Sequence, residues 1–305
     1  MRVFITGGTG LIGTRLCAAL RQRGDEPVVL TRNVAAAKER LGQGTTLVEG
    51  DPIQAGPWMQ HIAGCQAVVN LAGANVFDRR WNDDFKRLLR ESRVLTTQNI
   101  VQAIEKASPR PRVLVNGSAI GFYGFTGDEL LTEDSPAGTA DYLSQLTPLW
   151  EEAAQAAAAF GTRVVLLRTG VVLDKAGGAL KQMMTPFTFF IGGPVGSGRQ
   201  WVSWIHHADE VGLILFAIDE PRVLGPLNAT APEPVTNKQL AKALGKAMHR
   251  PSFAPVPGFA LKLRFGEVAN IVLKGQRVLP KKAQELGYRF QFPTIDLALA
   301  DIVAA

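Results

Sequence analysis

The stretch VFITGGTGLIGTRLCAAL (residues 3–20) constrains the fold of this chain more than any other. Gly7, Gly10 and Gly13 stand in the spacing G-x-x-G-x-x-G, directly after a β-branched run and at the opening of an apolar-periodic helix. The first glycine permits a tight turn, the second lets backbone approach a pyrophosphate, and the third lets the helix close on the strand. The N–H groups of the helix start, around Leu11 and Ile12, then face the phosphates. Strand, turn and helix agree, so the spacing predicts a dinucleotide-binding βαβ unit.

The same alternation continues for 170 residues. Short Val/Ile/Leu runs at 2–6, 27–31, 45–50, 66–72, 112–118 and 163–170 are separated by helical stretches. Continuous apolar strands of this kind predict a parallel sheet covered on both faces, and right-handed crossovers make it doubly wound. After Gly170 the texture changes. PFTFFIGGPVGSGRQWVSW (186–204) is aromatic- and glycine-rich and RPSFAPVPGF (250–259) is proline-rich, whereas 206–219 reads as a helix and 225–230 as a strand. The expectation is an α/β Rossmann-type domain from 1–173 and 205–230, with a smaller, mostly helical C-terminal substrate lobe from 174–204 and 231–305.

Net charge and cysteine content narrow the class. The charge of +6 comes from 33 basic and 27 acidic residues that look dispersed, without like-charge blocks or an aromatic stacking pattern, so nucleic acid is not an expected partner. No run of eighteen apolar residues and no leader-like segment occurs, and the strand pattern begins at residue 2. Cys17 and Cys65 read as core thiols of a reducing compartment. A cytoplasmic protein is expected, with a small-molecule substrate, no membrane partner, no metal site, and a monomeric or homodimeric state. There is no G-x-S-x-G nucleophile turn.

The end of the second strand selects the nucleotide. An acidic residue there would bond both ribose hydroxyls of NAD; this chain has Thr31 and Arg32. A guanidinium beside a hydroxyl suits a 2′-phosphate, so NADP(H) is the expected cofactor.

These residues resemble the extended short-chain dehydrogenase/reductases, which include sugar-nucleotide epimerases and dehydratases. GD at 50–51, NLAGA (70–74), SRVLTTQNIVQAI (92–104), GSAIGFYG (117–124), LRTGVVLD (167–174) and WIHHADEVG (204–212) continue the likeness. More narrowly, RRW (79–81), GGPVGSGRQW (192–201) and LKGQRVLPKK (273–282) resemble an atypical "epimerase family" branch with a C-terminal segment of undefined function. The resemblance spans the whole chain. It implies an adenine contact from Asp51, and further cofactor contacts from Leu71, Ala72, Gly73, Arg93, Arg168 and Val172.

That group uses a tyrosine as acid/base, activated by lysine four residues on. With Tyr142 in the tyrosine position the lysine position is Leu146; anchoring on Glu151 instead gives Leu143 and Thr147. No lysine occurs between Lys106 and Lys175, so no register restores the pair. An unassisted tyrosine with a pKa of about 10 is a poor base at neutral pH, although it can still donate a proton. Ser118, near the place of the group's catalytic hydroxyl, and Tyr123 in GFYGFTG are the candidates for facing the nicotinamide and substrate. His206 and His207 read as capping and packing residues, with Asp209 able to orient one of them, and Arg199 with Trp201 as a site for an anionic or planar ligand.

The expected function is an NADP(H)-dependent oxidoreductase of the extended short-chain type acting on a small carbonyl or alcohol. Its rivals are a nucleotide-sugar epimerase, which the missing lysine opposes, and a non-catalytic NADPH-binding regulatory module.

Overall fold

The computed structural model describes residues 1–304. In chain order its regular elements begin with β1 (Arg2–Thr6), α1 (Leu11–Gln22), β2 (Glu26–Thr31), α2 (Val34–Leu41), β3 (Thr46–Glu49), β4 (Ala67–Asn70), α3 (Asp83–Lys106) and β5 (Val113–Ala119). They continue through β6 (Leu130–Leu131), α4 (Tyr142–Gln155), β7 (Arg163–Thr169), β8 (Val171–Leu173), α5 (Gly178–Thr188), β9 (Trp201–Val202), β10 (Trp204–His206) and α6 (His207–Asp219). The last are β11 (Gly225–Ala229), β12 (Val235–Thr236), α7 (Asn237–Met248), α8 (Gly258–Phe265), α9 (Asn270–Leu273), β13 (Arg277–Val278), α10 (Lys281–Glu285) and α11 (Ile295–Ala304).

Seven strands form one parallel sheet in the order β11-β7-β5-β4-β1-β2-β3. Both faces of its strands are covered, which is why their sequences are apolar runs rather than alternating ones. Val3, Ile5, Val69 and Val115 meet α1 and α6 on one side. Phe4, Val68 and Leu114 meet Ile100 and Ile104 of α3 and Ala154 of α4 on the other. The expected α/β doubly wound fold is therefore the observed one. Its strand order reverses between β1 and β4, the place where such sheets open a ligand crevice beyond their C-terminal strand ends.

Beyond the sheet, a second apolar core gathers Leu180 and Phe187 of α5, Leu240 and Leu244 of α7, and Leu299 and Ile302 of α11 around Trp204. Three two-stranded pairings, β8 with β10, β9 with β12 and β6 with β13, tie these helices to the sheet. The expected strand over 163–170 breaks at Gly170, whose missing side chain leaves room for the Ser203 carbonyl.

Candidate active site

At the reversal point, Gly7 adopts φ +69°, and a Cβ there would lie 2.6 Å from the Leu71 carbonyl carbon and oxygen. Only glycine lets β4's exit cross β1's exit so closely. Gly13, in the first turn of α1, faces the Gly7 carbonyl so tightly that any side chain would collide with it. The crossing rests on a buried polar stack: Thr6 Oγ1 donates to Asn70 Oδ1 at 2.6 Å, and Asn70 Nδ2 donates to Thr97 and Asn116. The N-terminus of α1 has no side-chain cap and no acidic residue in its first turn. Among the described residues the amides of Leu11, Ile12 and Gly13 find no acceptor. An uncapped, acid-free helix start beside a glycine cradle fits a pyrophosphate.

Around this cradle lie the other expected cofactor positions. Thr31, half-buried, ends β2 and shares hydrogen bonds with Asn33, the N-cap of α2. Arg32 is exposed, and no carboxylate among the described residues lies within ion-pair distance of it. Asp51 holds a turn through Ile53 N–H at 3.1 Å with one carboxylate oxygen. Leu71, Ala72 and Gly73 line the exit of β4. Arg93 reaches from α3 beneath Gly73, donates to the carbonyls of Leu89 and Ala74 at 3.1 Å, and lies 5.3 Å above the Trp150 ring. Burial pushes its pKa down to about 10. Val172 sits in β8, near the Gly177–Gly178 opening of α5, which itself lies against Leu11.

Arg168 is not at the crevice surface. It is 3% exposed and grips Glu151 with two hydrogen bonds of 2.8 and 2.9 Å. Its Nη1 also donates to Tyr123 at 3.0 Å, and its plane lies 3.5 Å from the Phe122 ring centre. Burial works against the charge, but Glu151 outweighs it and the pKa is raised. Arg168, expected at the cofactor, is held here in an internal ion pair, which neutralises a guanidinium buried on a strand of the sheet.

The two expected catalytic hydroxyls belong to the same network. Ser118 donates to Glu151 Oε1 at 2.6 Å, and Tyr123, 2% exposed, donates to Asn228 Oδ1 at 2.7 Å. Asn228 N–H in turn donates to the buried Glu133. Burial raises the Tyr123 pKa. Both hydroxyls donate to interior acceptors, and the polar chain Ser118–Glu151–Arg168–Tyr123–Asn228 braces the ends of β5, β7 and β11. In sequence Glu151 serves only as an alignment anchor, and Asn228 and Glu133 carry no mark, since pairs across strands leave no local signal.

The missing lysine also has a structural account. Leu146 is 4% exposed and packs with Phe85 and Leu89 between α3 and α4. Tyr142 leans edge-on against Trp81, centroids 5.4 Å apart, and its hydroxyl donates to the Lys86 carbonyl. The side chain is partly buried, which raises its pKa.

On the far side of the crevice, Arg15 of α1 clasps the fully buried Asp174 at 2.5 and 2.8 Å. His206 caps α6 by accepting Ala208 N–H at 3.1 Å and stacks on Phe292. Its Nε2 lies 3.2 Å from Asp301 without the alignment of a hydrogen bond, and burial lowers its pKa to about 4. Asp209 accepts from the amides of Gln291 and Phe292, not from a histidine. Glu210, wholly buried, accepts from Thr169 with one oxygen and leaves the other unpaired; burial raises its pKa to about 8. Trp201 Nε1 donates to Asp128, with Arg277 rather than Arg199 over its ring at 4.4 Å.

Residues 3–228 match the NAD dependent epimerase/dehydratase family, and residues 256–302 match a domain of unknown function, DUF1731. Epimerase family protein YfhF of Bacillus subtilis is 38% identical over 304 residues, covering all of this chain and 98% of that protein. The crystal structure of human epimerase family protein SDR39U1 with NADPH superposes with a TM-score of 0.87 at 36% identity, over 100% of this chain and 99% of that one. A nucleoside-diphosphate sugar epimerase structure from Corynebacterium glutamicum gives 0.79 at 32% identity, over 99% of this chain and 58% of that one. The crevice at the strand reversal is the nucleotide end of such a protein, and the chain belongs to the NAD dependent epimerase/dehydratase family, in the branch that ends in DUF1731.

Proposed function

We propose that this chain is an NADP(H)-dependent oxidoreductase of the extended short-chain type that reduces a small carbonyl compound. The observation that carries the reading is Arg32: a free, exposed guanidinium one residue past the end of β2 and next to the Thr31 hydroxyl. A 2′-phosphate is the group that such a pair holds. The NADPH named with the human relative supports the same choice.

In this reading the first-turn amides of α1 hold the pyrophosphate, Asp51 meets the adenine, and Leu71 and Ala72 form the wall beneath the nicotinamide end. Arg93 keeps that wall in place through Ala74. The bound nucleotide supplies hydride to the carbonyl carbon. The chain's part is to orient the substrate between the sheet domain (1–173, 205–230) and the lobe (174–204, 231–305), and to let a proton reach the carbonyl oxygen. No tyrosine here has a lysine four residues on to make it a base. Reduction needs only a donor, which water can supply, whereas oxidation of an alcohol needs a base; the asymmetry favours reduction.

Titration calorimetry with NADPH and NADH, on the wild type and on Arg32→Asp, tests the cofactor. Preference for NADPH by about tenfold to hundredfold, lost in the variant, is expected from one charge-assisted contact. Equal binding of both nucleotides, or of neither, overturns the reading. A panel of aldehydes and ketones followed by NADPH absorbance tests the reaction. The second reading is a non-catalytic NADPH-holding module, favoured by the interior commitment of Ser118 and Tyr123. Tight NADPH binding with no oxidation across the panel would select it. A nucleotide-sugar epimerase, suggested by the name of the Corynebacterium relative, requires a base, and the tyrosine–lysine pair that supplies it in that group is missing here.

A further inference from the structure

Most large apolar side chains of the second core are covered, but one strip of the lobe is not. Phe189, Phe190 and Ile191 are 70%, 54% and 58% exposed, and Phe253, Phe259 and Leu263 are 69%, 75% and 78% exposed. The chain brings them together. Gly192 bridges Ser252 and Val195 bridges Val256 in parallel, and the Arg250 guanidinium covers the Phe190 ring at 4.4 Å. Gly258, which opens α8, approaches Gly196. No residue of α8 is buried; Phe259 and Leu263, four apart, share one of its faces, and Lys262 and Arg264 flank them.

The charge of this strip is one-sided. No Asp or Glu occurs from Lys175 to Ala208 or from Pro234 to Gly266, and these two stretches hold nine Lys and Arg. The rest of the chain therefore has 33 minus 9, or 24, basic residues against 27 acidic ones, so the whole excess positive charge of the protein comes from here. Among the described residues the only carboxylate paired with any of the nine is Asp296, on Lys246 at 3.0 Å. Lys238, Lys242 and Arg250 line a groove with Ser252 and Phe253. In sequence these charges look dispersed; the fold sets Lys238, Lys242 and Arg250 along one groove with Phe253, and Lys262 and Arg264 beside the exposed Phe259 and Leu263 of α8.

We propose that this face docks on an anionic lipid surface, with Phe259 and Leu263 entering the headgroup–acyl boundary and the groove cations meeting lipid phosphates. Basic residues around an exposed apolar helix face are the composition of an interfacial contact. Two copies of so basic a face repel one another, and the exposed phenylalanines share the strip with Ile191 and Leu263, an aliphatic admixture that suits acyl chains better than stacked bases. No helix among the described residues is long and apolar enough to cross a membrane, so the contact is peripheral. The inference is independent of the reaction proposed above.

Vesicle flotation of the full chain tests it. Flotation is expected with vesicles rich in phosphatidylglycerol and not with phosphatidylcholine alone, and it weakens as salt rises. Lys262→Glu with Arg264→Glu should lower affinity by more than about tenfold, at roughly fivefold per basic residue removed. Phe259→Ser with Leu263→Ser should abolish flotation, while both variants keep the wild-type melting temperature and NADPH affinity. If the serine variant misfolds, the charge variant decides. Absence of flotation, equal flotation on neutral vesicles, or undiminished flotation of either folded variant overturns the proposal. So does a wild-type dimer that Phe259→Ser dissociates, which would make the strip a self-interface, or equally strong retention on a nucleic-acid polyanion.

Discussion

The Tyr142 hydroxyl donates to the backbone carbonyl of Lys86, so the residue in the place of the catalytic tyrosine is tied to the neighbouring helix α3. Four residues on, Leu146 fills the α3–α4 interface. Tyr142→Phe should therefore change any turnover by less than about threefold and cost about 1 kcal/mol of stability, the worth of one hydrogen bond. Leu146→Lys should not create a catalytic pair; burying an unpaired ammonium there costs roughly 3 kcal/mol or more. Chemical denaturation and NADPH oxidation assays on both variants check this, and a gain of activity in Leu146→Lys would contradict it.

The ion pair of Arg168 with Glu151 braces the strand ends. Glu151→Ala leaves a buried guanidinium with Tyr123 as its remaining hydrogen-bond partner, and a loss of about 3–5 kcal/mol is expected. Ser118→Ala removes one neutral donor from Glu151 and should cost nearer 1 kcal/mol. If Ser118→Ala instead abolished turnover with stability intact, Ser118 would touch substrate after all.

Gly7→Ala places a methyl group against the Leu71 backbone at a φ of +69°. The expected result is a stability loss of roughly 1–3 kcal/mol from the strained backbone, with NADPH affinity falling at the same time. Thermal melts with and without NADPH separate the two: the variant should show a smaller ligand-induced rise in melting temperature than the wild type.

Glu210 has a folded pKa raised to about 8, above its unfolded value of 4.5. The protein then keeps the full stability of the protonated form below pH 4.5 and loses it as the pH rises through 8, because the unfolded chain releases the proton earlier. Glu210→Gln should remove that slope. Wild-type and variant melting temperatures should differ by a constant amount below pH 4.5 and shift in favour of the variant between pH 5 and 8, by on the order of 1–3 kcal/mol in stability. Parallel pH profiles would show that the carboxyl ionises freely.

Local patterns made the sheet legible. Period and punctuation in VFITGGTGLIGTRLCAAL and in the six apolar runs are short-range signals, and the strands lie where those runs predict them. The crevice was legible for the same reason, since Gly7, Gly10 and Gly13 are constrained by neighbours in sequence. Arg168, Ser118 and Tyr123 were not. A resemblance locates a residue on a strand end but does not say which way it turns, and their partners Glu151 and Asn228 are 17 to 105 residues away. The basic strip was hidden because its two stretches are distant in sequence and meet only in the fold, through the bridges at Gly192 and Val195 and the shared core of α5 and α7.

The clasp between Arg15 and Asp174 joins the helix that begins at the glycine turn to the loop between β8 and α5. Ala176 N–H closes the same carboxylate, and Leu11 touches Gly177 beside it. The start of α1 and the root of the lobe are thereby in direct contact, the kind of link through which two sites can be coupled. If a dinucleotide on the turn and a ligand on the opposite wall are coupled through this clasp, each changes the other's affinity by the same factor.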